Sequence, residues 1–505
     1  MCWSFPVRRT QHRESEHGVN IVDPILFQCR INAEQPAICA PGANLEAMTY
    51  AQLEFMLNAL TRAVLTHGIQ RGKVVGVLIG NKILHVVLSL ALTRIGVATV
   101  SCRDRSLPKE LGAVAVITDM PGPFSNVDRI IVIDRDWARG NGAPLEDRQF
   151  ATRADELCRI ILTSGSTGIA KGVPFTHGKM FEKNARLHYS QLQSARLFCD
   201  LGLSSSLGFS YMLYMLSRGG MIMLLGEDTV GTVQALNLFE TENMVTSPYG
   251  LAEYLKFYES QPTFRCGFDQ ILVTGGMLTK DLAVRAWSRM CPTLISLYGA
   301  TEVGPVAVAD ARLTTRAVGT VGYILPGAQV QIVNSAGKLP QRGSEGIIRV
   351  RTDQAATNYF GDPEASAAMF RDGWFYPGDY GYLTDDGMLV VTGRQETLLN
   401  AGGDKVNPEV VEEVLVSFPA IADCAVVNIA NELGIEEIHA LIVRRAMFAE
   451  SDLRKHCAGK LQRAFIPVRF IAVEEIPRND MAKIERGRLA EIARSKGQGG
   501  GGTAS

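Results

Sequence analysis

"LTSGSTGIAKGV", residues 162–173, packs three glycines, four hydroxyl side chains and one lysine into twelve positions directly after the apolar pair Ile160–Ile161. The apolar pair reads as the end of a buried strand, and residues 162–173 read as a loop that holds phosphate. Glycines let backbone N–H groups approach an anion closely, and Ser164, Ser166 and Thr167 add donors. It is not the GxxxxGK(S/T) pattern of nucleotide phosphotransferases, because Lys171 precedes Gly172 and no Ser or Thr follows to bind magnesium. Alone, the stretch is equally well a Gly/Ser turn with a surface lysine.

Around this loop the apolar pattern alternates between helix and strand. "YAQLEFMLNALTRAVLTHG" sets Leu53, Leu57, Leu60 and Val64 on one helical stripe that stops at Gly68. "KVVGVLIG" reads as a strand, Asn81 as the cap of a helix ending near Gly96, and "VATVS" as the next strand. "MIMLL", "QILVT" and "TLISL" are further short apolar strands, separated by helical segments such as "SPYGLAEYLKFYES". Such alternation predicts largely parallel sheets covered by helices. After Gly319, "AQVQIVN", "EGIIRVRT" and "MLVVTG" predict a small β subdomain. After Arg394 the chain predicts a small α+β unit: helix "PEVVEEVLVSF", strands "CAVVNIA" and "IHALIVRR", a helix over 451–465, strand "PVRFIAV" and a closing helix. The expected division is a flexible start (1–20), a large α/β domain (21–393), a hinge (394–396), a small α+β domain (397–495) and a flexible glycine-rich tail (496–505).

The chain has 505 residues, 46% hydrophobic and 20% charged, enough for two or three domains with a large core. A net charge of −1 leaves no electrostatic footprint for nucleic acid or an acidic membrane. Ten cysteines without a CxxC pair read as reduced thiols, with no metal cluster or disulfide framework. The N-terminus lacks the apolar run of a secretory signal, and the apolar region 73–100 is interrupted by Lys82, His85 and Arg94, so no membrane span is expected. These features together predict a cytoplasmic protein.

Four more stretches carry chemistry. "SLYGATEVGP" (296–305) follows the strand "TLISL", and ligand sites of α/β sheets lie at the carboxyl ends of strands. There Tyr298 offers an aromatic face and Glu302 a hard oxygen for magnesium. In "DGWFYPGDYGYLTDDG" (372–387), Asp379 after Gly378 can accept two ribose hydroxyls. In "VTGRQETLLNAGGDKVNPEVVEE" (391–413), Arg394 can reach a ribose or phosphate, Gly402 and Gly403 permit close backbone approach, and Asn407 caps a helix entered through Pro408. "IPRNDMAKIERGRL" (476–489) puts Lys483 at the start of a helix, where the helix dipole disfavours a merely structural cation. Each stretch alone also fits a plain structural reading, as a strand-end turn, an acidic β-turn, a helix entry or a solvated lysine.

All five in this order resemble the adenylate-forming, acyl-activating superfamily, which holds acyl- and aryl-CoA ligases, adenylation domains of peptide synthetases and beetle luciferases. The family's loop (S/T)SG(S/T)TGxPKG is "TSGSTGIAKG" here, with Ala170 for proline. Its YGxTE is "YGATE", its GD turn is Gly378–Asp379, and its GRxD hinge is "GRQE" with Glu396 for aspartate. Its terminal PxxxxGKxxR is "PRNDMAKIER", with Ala482 for glycine and Lys483 and Arg486 in place. "GGM" at 275–277 is similar to the family's adenine-contacting segment. The resemblance runs from about residue 22 to 495 and implies two steps. A carboxylate attacks the α-phosphorus of ATP and pyrophosphate leaves; a thiol then attacks the acyl-adenylate and AMP leaves.

The resemblance also implies roles. Thr163, Ser164, Gly165, Ser166, Thr167, Gly168 and Lys171 would line the β- and γ-phosphates, and Glu302 would hold magnesium. Gly276–Met277 and Tyr298 would sandwich adenine, flanked by Gly299 and Thr301, with Asp379 and Arg394 on the ribose. Lys483, with Glu302 and Thr163, would be catalytic, its ammonium placed between carboxylate and α-phosphate. Glu396 would mark the hinge about which the small domain turns for the second step, bringing Gly402–Gly403 beside the pantetheine arm. The acyl pocket would be lined within 201–216, by Phe209 and Ser210, and by Gly275, Gly299 and Ala300. No acidic residue is placed to receive an amino group, which argues against an α-amino acid. The implied activity is an ATP- and magnesium-dependent acid–thiol ligase making an aryl- or short/medium acyl-CoA. An alternative delivers the same adenylate to the phosphopantetheine of an acyl carrier protein. A non-catalytic binding module on the same fold and a phosphotransferase are further readings. The first is opposed by the presence of Glu302, Asp379, Arg394 and Lys483, the second by the missing phosphotransferase pattern.

Overall fold

A computed structural model describes residues 19–42, 46–134, 136–137, 142–146, 150–163, 170–187, 195–261, 266–314, 319–341, 343–394, 398–401, 404–431, 435–478 and 484–498. Ser164 to Gly168, Glu396, Gly402, Gly403 and Lys483 lie outside the described residues.

The helix expected from the first apolar stripe spans Tyr50–Thr66, and Leu53, Leu57, Leu60 and Val64 are fully buried. Thr49 and Gln52 close a capping box at its start, and Gly68 takes a positive φ of 65° just beyond its end. Asn81 accepts from the Leu84 N–H and caps the helix Lys82–Arg94. These helices pack between two sheets. Among the described residues the first sheet has six strands in the order Ile130–Val132, Ala115–Thr118, Val74–Leu78, Ala98–Ser101, Leu157–Thr163 and Lys171–Thr176. All neighbours are parallel except the last pair, where Thr163 lies opposite Lys171.

The second sheet has an antiparallel edge strand, Glu46–Thr49, and then a parallel run: Pro36–Ala40, Met221–Leu224, Arg196–Cys199, Asn243–Thr246, Gln270–Thr274 and Thr293–Ala300. It then changes direction. Gly304–Asp310 returns antiparallel on Thr293–Ala300 and continues into Thr320–Ile324, Met388–Arg394, Asp379–Leu383 and Gly346–Thr352, the expected β subdomain. One apolar core joins both sheets, running from Val75, Val77 and Ile117 on the first to Ile38, Ile222 and Leu272 on the second. The helix Ser206–Ser217 crosses it buried on nearly every side, which its Phe, Met, Leu and Tyr content requires.

The C-terminal unit has a sheet of Ile421–Ala430, Glu436–Arg444 and Arg469–Ala472, with helices Pro408–Val416, Glu450–Ala458 and Arg486–Gln498. Its apolar residues form clusters of their own. The helix expected over 451–465 stops at Ala458; Gly459 caps it and a separate 3-10 turn, Arg463–Phe465, follows. The closing helix runs to Gln498, past the expected boundary at 495, held by buried Leu489 and Ala493. Asn407 accepts from the Glu409 N–H, and Pro408 stands at the first helical position.

No helix among the described residues is long and apolar enough to cross a membrane. Leu57 lies where helix and both sheets share one core, so Leu57→Ala should cost about 2–5 kcal/mol. It should lower the midpoint of the large domain's thermal transition while the transition of the C-terminal unit stays in place; calorimetry distinguishes the two.

Candidate active site

Parallel strands end together, and the residues at and beyond their ends form the walls of a cavity of about 200 Å³. Thr163 closes Leu157–Thr163, Leu201 follows Arg196–Cys199, and Ser247 follows Asn243–Thr246. Thr274 and Gly275 end the next strand, and Gly299 to Glu302 end the last. Met369, Phe375 and Pro377 of the β subdomain complete an apolar wall. The site therefore occupies the carboxyl ends of the strands, the general location for ligands of open α/β sheets.

Glu302 sits in the turn between the last parallel strand and its antiparallel return, 7% exposed. Its backbone carbonyl accepts from the Ala356 N–H at 2.7 Å, and its Oε1 accepts from the Tyr359 hydroxyl at 2.8 Å. Among the described residues Oε2 has no hydrogen-bond partner, and Glu302 lines the cavity, so one hard oxygen is left for a divalent cation. This donor fits magnesium. The turn has little room: a Cβ on Gly299 would lie 2.3 Å from the Gly304 carbonyl oxygen, so only glycine permits the approach. The pairing register shifts between Tyr298 and Gly299 at that point.

Lys171 stands opposite Thr163, lines the cavity, and holds its Nζ 5.3 Å from the centroid of the Tyr359 ring. Thr163 Oγ1 donates to the Lys171 carbonyl at 3.3 Å. Lys171 thus stands on a strand that holds it near Tyr359, whose hydroxyl donates to Glu302.

Gly378 has a positive φ of 80° and turns the chain into Asp379–Leu383. Asp379 is 4% exposed, and both its oxygens are engaged. Oδ2 accepts from the Tyr298 hydroxyl at 2.6 Å and Oδ1 from Arg394 Nε at 2.8 Å. Asp379 and Arg394 are also register partners across the strand pair, so the backbone itself aligns them. Burial and the Asp379 charge push the Tyr298 phenol well above its ordinary pKa, and Asp379 raises Arg394 further. The Arg394 side chain remains half exposed and lines the cavity. The sequence assigns Asp379 to a ribose; in the fold it is the carboxylate that accepts from Tyr298 and Arg394.

Gly275, Gly299, Ala300 and Thr301 line the cavity. Gly276 and Met277 follow Gly275 at the open end of the same strand, with Gly276 exposed. Phe209 and Ser210 do not line the cavity. Phe209 is 3% exposed with the Arg159 guanidinium 4.1 Å over its ring, and the Ser210 hydroxyl donates to the Ser206 carbonyl of its own helix. Ser205, Ser206 and Leu207, one turn earlier, form the wall instead. A helix buried on nearly all sides offers no periodic signal for which turn meets the ligand.

Arg103, Lys183 and Tyr359 of the cavity wall are not apparent as site residues from the sequence. Lys183 carries a signal, because it occupies the apolar stripe Met180, Lys183, Asn184, Leu187 of helix His177–Leu187. Arg486 of the terminal motif is a structural anchor. Its Nη1 donates to Glu412 Oε1 and to the Val426 carbonyl, both at 2.8 Å. Arg478, at the other flank of residues 479–483, holds both oxygens of Asp423 at 2.9 and 3.0 Å. Arg478 and Arg486, which flank residues 479–483 in the sequence, are therefore each tied to the C-terminal unit.

Comparison with known proteins agrees with this architecture. The family model described as AMP-binding enzyme matches residues 27–360, and that of the AMP-binding enzyme C-terminal domain matches 410–483. A 2-succinylbenzoate–CoA ligase of Bacillus mycoides is 27% identical, covering 88% of this chain and 94% of its own. A 4-chlorobenzoate–CoA ligase of an Arthrobacter species is 24% identical, covering 88% and 90%. Among solved structures, o-succinylbenzoate CoA synthetase from Bacillus subtilis, in complex with its acyl-adenylate intermediate, superposes with a TM-score of 0.80 at 22% identity, covering 92% and 97%. The same enzyme has been solved with ATP and magnesium. An amide bond synthetase from Marinactinospora thermotolerans superposes with a TM-score of 0.77 at 21% identity, covering 93% and 99%.

Asp379→Ala removes the acceptor of two hydrogen bonds, each worth about 1.5–3 kcal/mol when one partner is charged. It should raise the KM for ATP by about 10–100-fold, with less effect on the KM for the acid. An unchanged ATP KM would place Asp379 outside the nucleotide site.

Proposed function

Since the chain belongs to the AMP-binding enzyme family, we propose that it activates an aryl or short- to medium-chain carboxylic acid with ATP and transfers the acyl group to CoA. The observation that supports this most is that one cavity carries both kinds of lining. Polar residues (Thr163, Lys171, Thr301, Glu302, Arg394) and apolar ones (Leu201, Leu207, Leu297, Met369, Phe375) line it together.

The chemistry needs two anions to meet. The carboxylate forms a bond to the α-phosphorus of ATP, the bond to pyrophosphate breaks, and the acyl-adenylate results. Glu302 would present Oε2 to magnesium, which neutralises phosphate charge when bound. Lys171, Thr163 and residues 164–168 would bind the β- and γ-phosphates, Lys171 from its place on the strand Lys171–Thr176. Asp379, held by Tyr298 and Arg394, would take the ribose hydroxyls, while Gly275 to Met277 leave an open strand end for the adenine. Lys483 would bridge the reacting carboxylate and the α-phosphate. In the second step the CoA thiol loses its proton to solvent, its sulfur bonds to the acyl carbon, and AMP leaves. Rotation about 394–396 would withdraw Lys483 and bring Gly402–Gly403 to the pantetheine path. We place the reaction in the cytoplasm, where ATP and CoA are available and the nine described cysteines, all free, stay reduced.

A panel of aryl, short-chain and medium-chain acids with ATP, magnesium and CoA, analysed by mass for thioester, tests the reading. Acid-dependent AMP and acyl-CoA are expected. Adenylate that accumulates with CoA and discharges only to a phosphopantetheinylated carrier protein would replace CoA as acceptor. Lys483→Ala should reduce adenylate formation by about 10²–10³-fold, the usual scale for losing one such electrostatic contact. Thioester formation from supplied acyl-AMP plus CoA should be largely kept. Equal loss in both half-reactions would remove Lys483 from the first.

A further inference from the structure

The helix His177–Leu187 buries Met180, Lys183, Asn184 and Leu187, the i, i+3, i+4, i+7 positions of a core stripe. A lysine is out of place there unless it has an anion to meet. Lys183 is 2% exposed and lines the cavity. Its Nζ lies 4.5 Å from the centroid of the Phe175 ring and donates to Ser206 Oγ. That is its only hydrogen bond among the described residues. An ammonium has three donors, so two are left without acceptors. Glu302 lines the same cavity, but its Oε1 is taken by Tyr359 and, among the described residues, no ion pair joins it to Lys183. Ser206 also opens the helix Ser206–Ser217, so the positive end of that helix stands beside the amine on the same wall.

Leu201 and Leu207 line the same cavity, within the stretch 201–216 to which the resemblance assigns the acyl pocket. We propose that Lys183 reads a second carboxylate on the substrate: the preferred acid is a dicarboxylate, activated at one end and held at the other by Lys183 Nζ and the first turn of Ser206–Ser217. Burial lowers the amine to about 7, and negative charge at Glu302 opposes the shift. A substrate carboxylate in contact with Nζ supplies the same opposing charge and the missing acceptor together. Lys183 is then a specificity determinant with no part in bond making.

The inference rests on the ligase reading, and paired acids separate the two. The pairs differ only in a terminal carboxylate against a methyl group: glutarate and pentanoate, adipate and hexanoate, isophthalate and 3-methylbenzoate. The readout is kcat/KM for AMP formation in the presence of CoA. At least one diacid should exceed its partner by tenfold or more, and Lys183→Met should collapse that ratio toward one or invert it. An ATP-induced rise in Tm checks that the variant is folded. A wild-type ratio near or below one in every pair overturns the assignment even if Lys183→Met does not fold. Equal loss on both members of each pair in a folded variant also overturns it, since the amine then serves the common carboxylate or the fold. If no acid supports AMP formation, the ligase reading fails and takes the inference with it.

Discussion

The last parallel strand, Thr293–Ala300, pairs on one side with a parallel neighbour and on the other with its own antiparallel return, Gly304–Asp310. The chain has only Thr301, Glu302 and Val303 in which to reverse. The reversal closes because Gly299 lets the Gly304 carbonyl approach to where a side chain would otherwise stand. Much else in the site hangs on this turn. It buries Glu302 at the junction of the parallel sheet and the β subdomain. It puts Tyr298 within reach of Asp379 on a strand 81 residues later in the chain. It also seats the 352–359 segment, since Thr352 and Ala356 bond to the backbone of Val303 and Glu302, and Tyr359 bonds to the Glu302 side chain.

Charges at the site are held in two ways. Asp379, Tyr298 and Arg394 compensate one another: a buried carboxylate accepts from a phenol and a guanidinium, each in hydrogen-bond range, and the strand register aligns two of the three. Such a network is rigid before ligand arrives, which reduces the ordering that binding must impose. Lys183 is held differently. Burying an ammonium costs several kcal/mol, and one hydrogen bond to a hydroxyl returns about 1 kcal/mol. Its environment lowers its affinity for the proton and leaves donors unused, so the balance falls to whatever occupies the cavity.

Much of the fold is legible in the chain because its signals are local. The stripe Leu53, Leu57, Leu60, Val64, the caps at Asn81 and Asn407 and the glycines at 68 and 378 all act within one turn of helix or chain, and the structure has them as read. The boundary at Ala458 is not legible, because apolar spacing continues past Gly459 into Leu461 and Phe465, which pack on the same core without belonging to the α-helix. The sequence assigns Phe209 and Ser210 to the pocket because their stretch is at the pocket; which turn of that helix faces the cavity depends on the sheet it crosses. Ser164 to Gly168, Glu396, Gly402, Gly403 and Lys483 stand on their motifs alone.

The sequence by itself determined the architecture, the family and the order of chemistry-bearing segments, because strand and helix periodicity, capping and short motifs are properties of neighbours along the chain. Only the tertiary structure decided that Asp379 is shared between Tyr298 and Arg394, that Tyr359 orients Glu302, that Arg478 and Arg486 bond to Asp423 and Glu412, and that Lys183 faces the cavity. Each of these joins residues far apart along the chain, and burial, which turns a surface lysine into a charge in need of a partner, exists only once the sheets have closed over it.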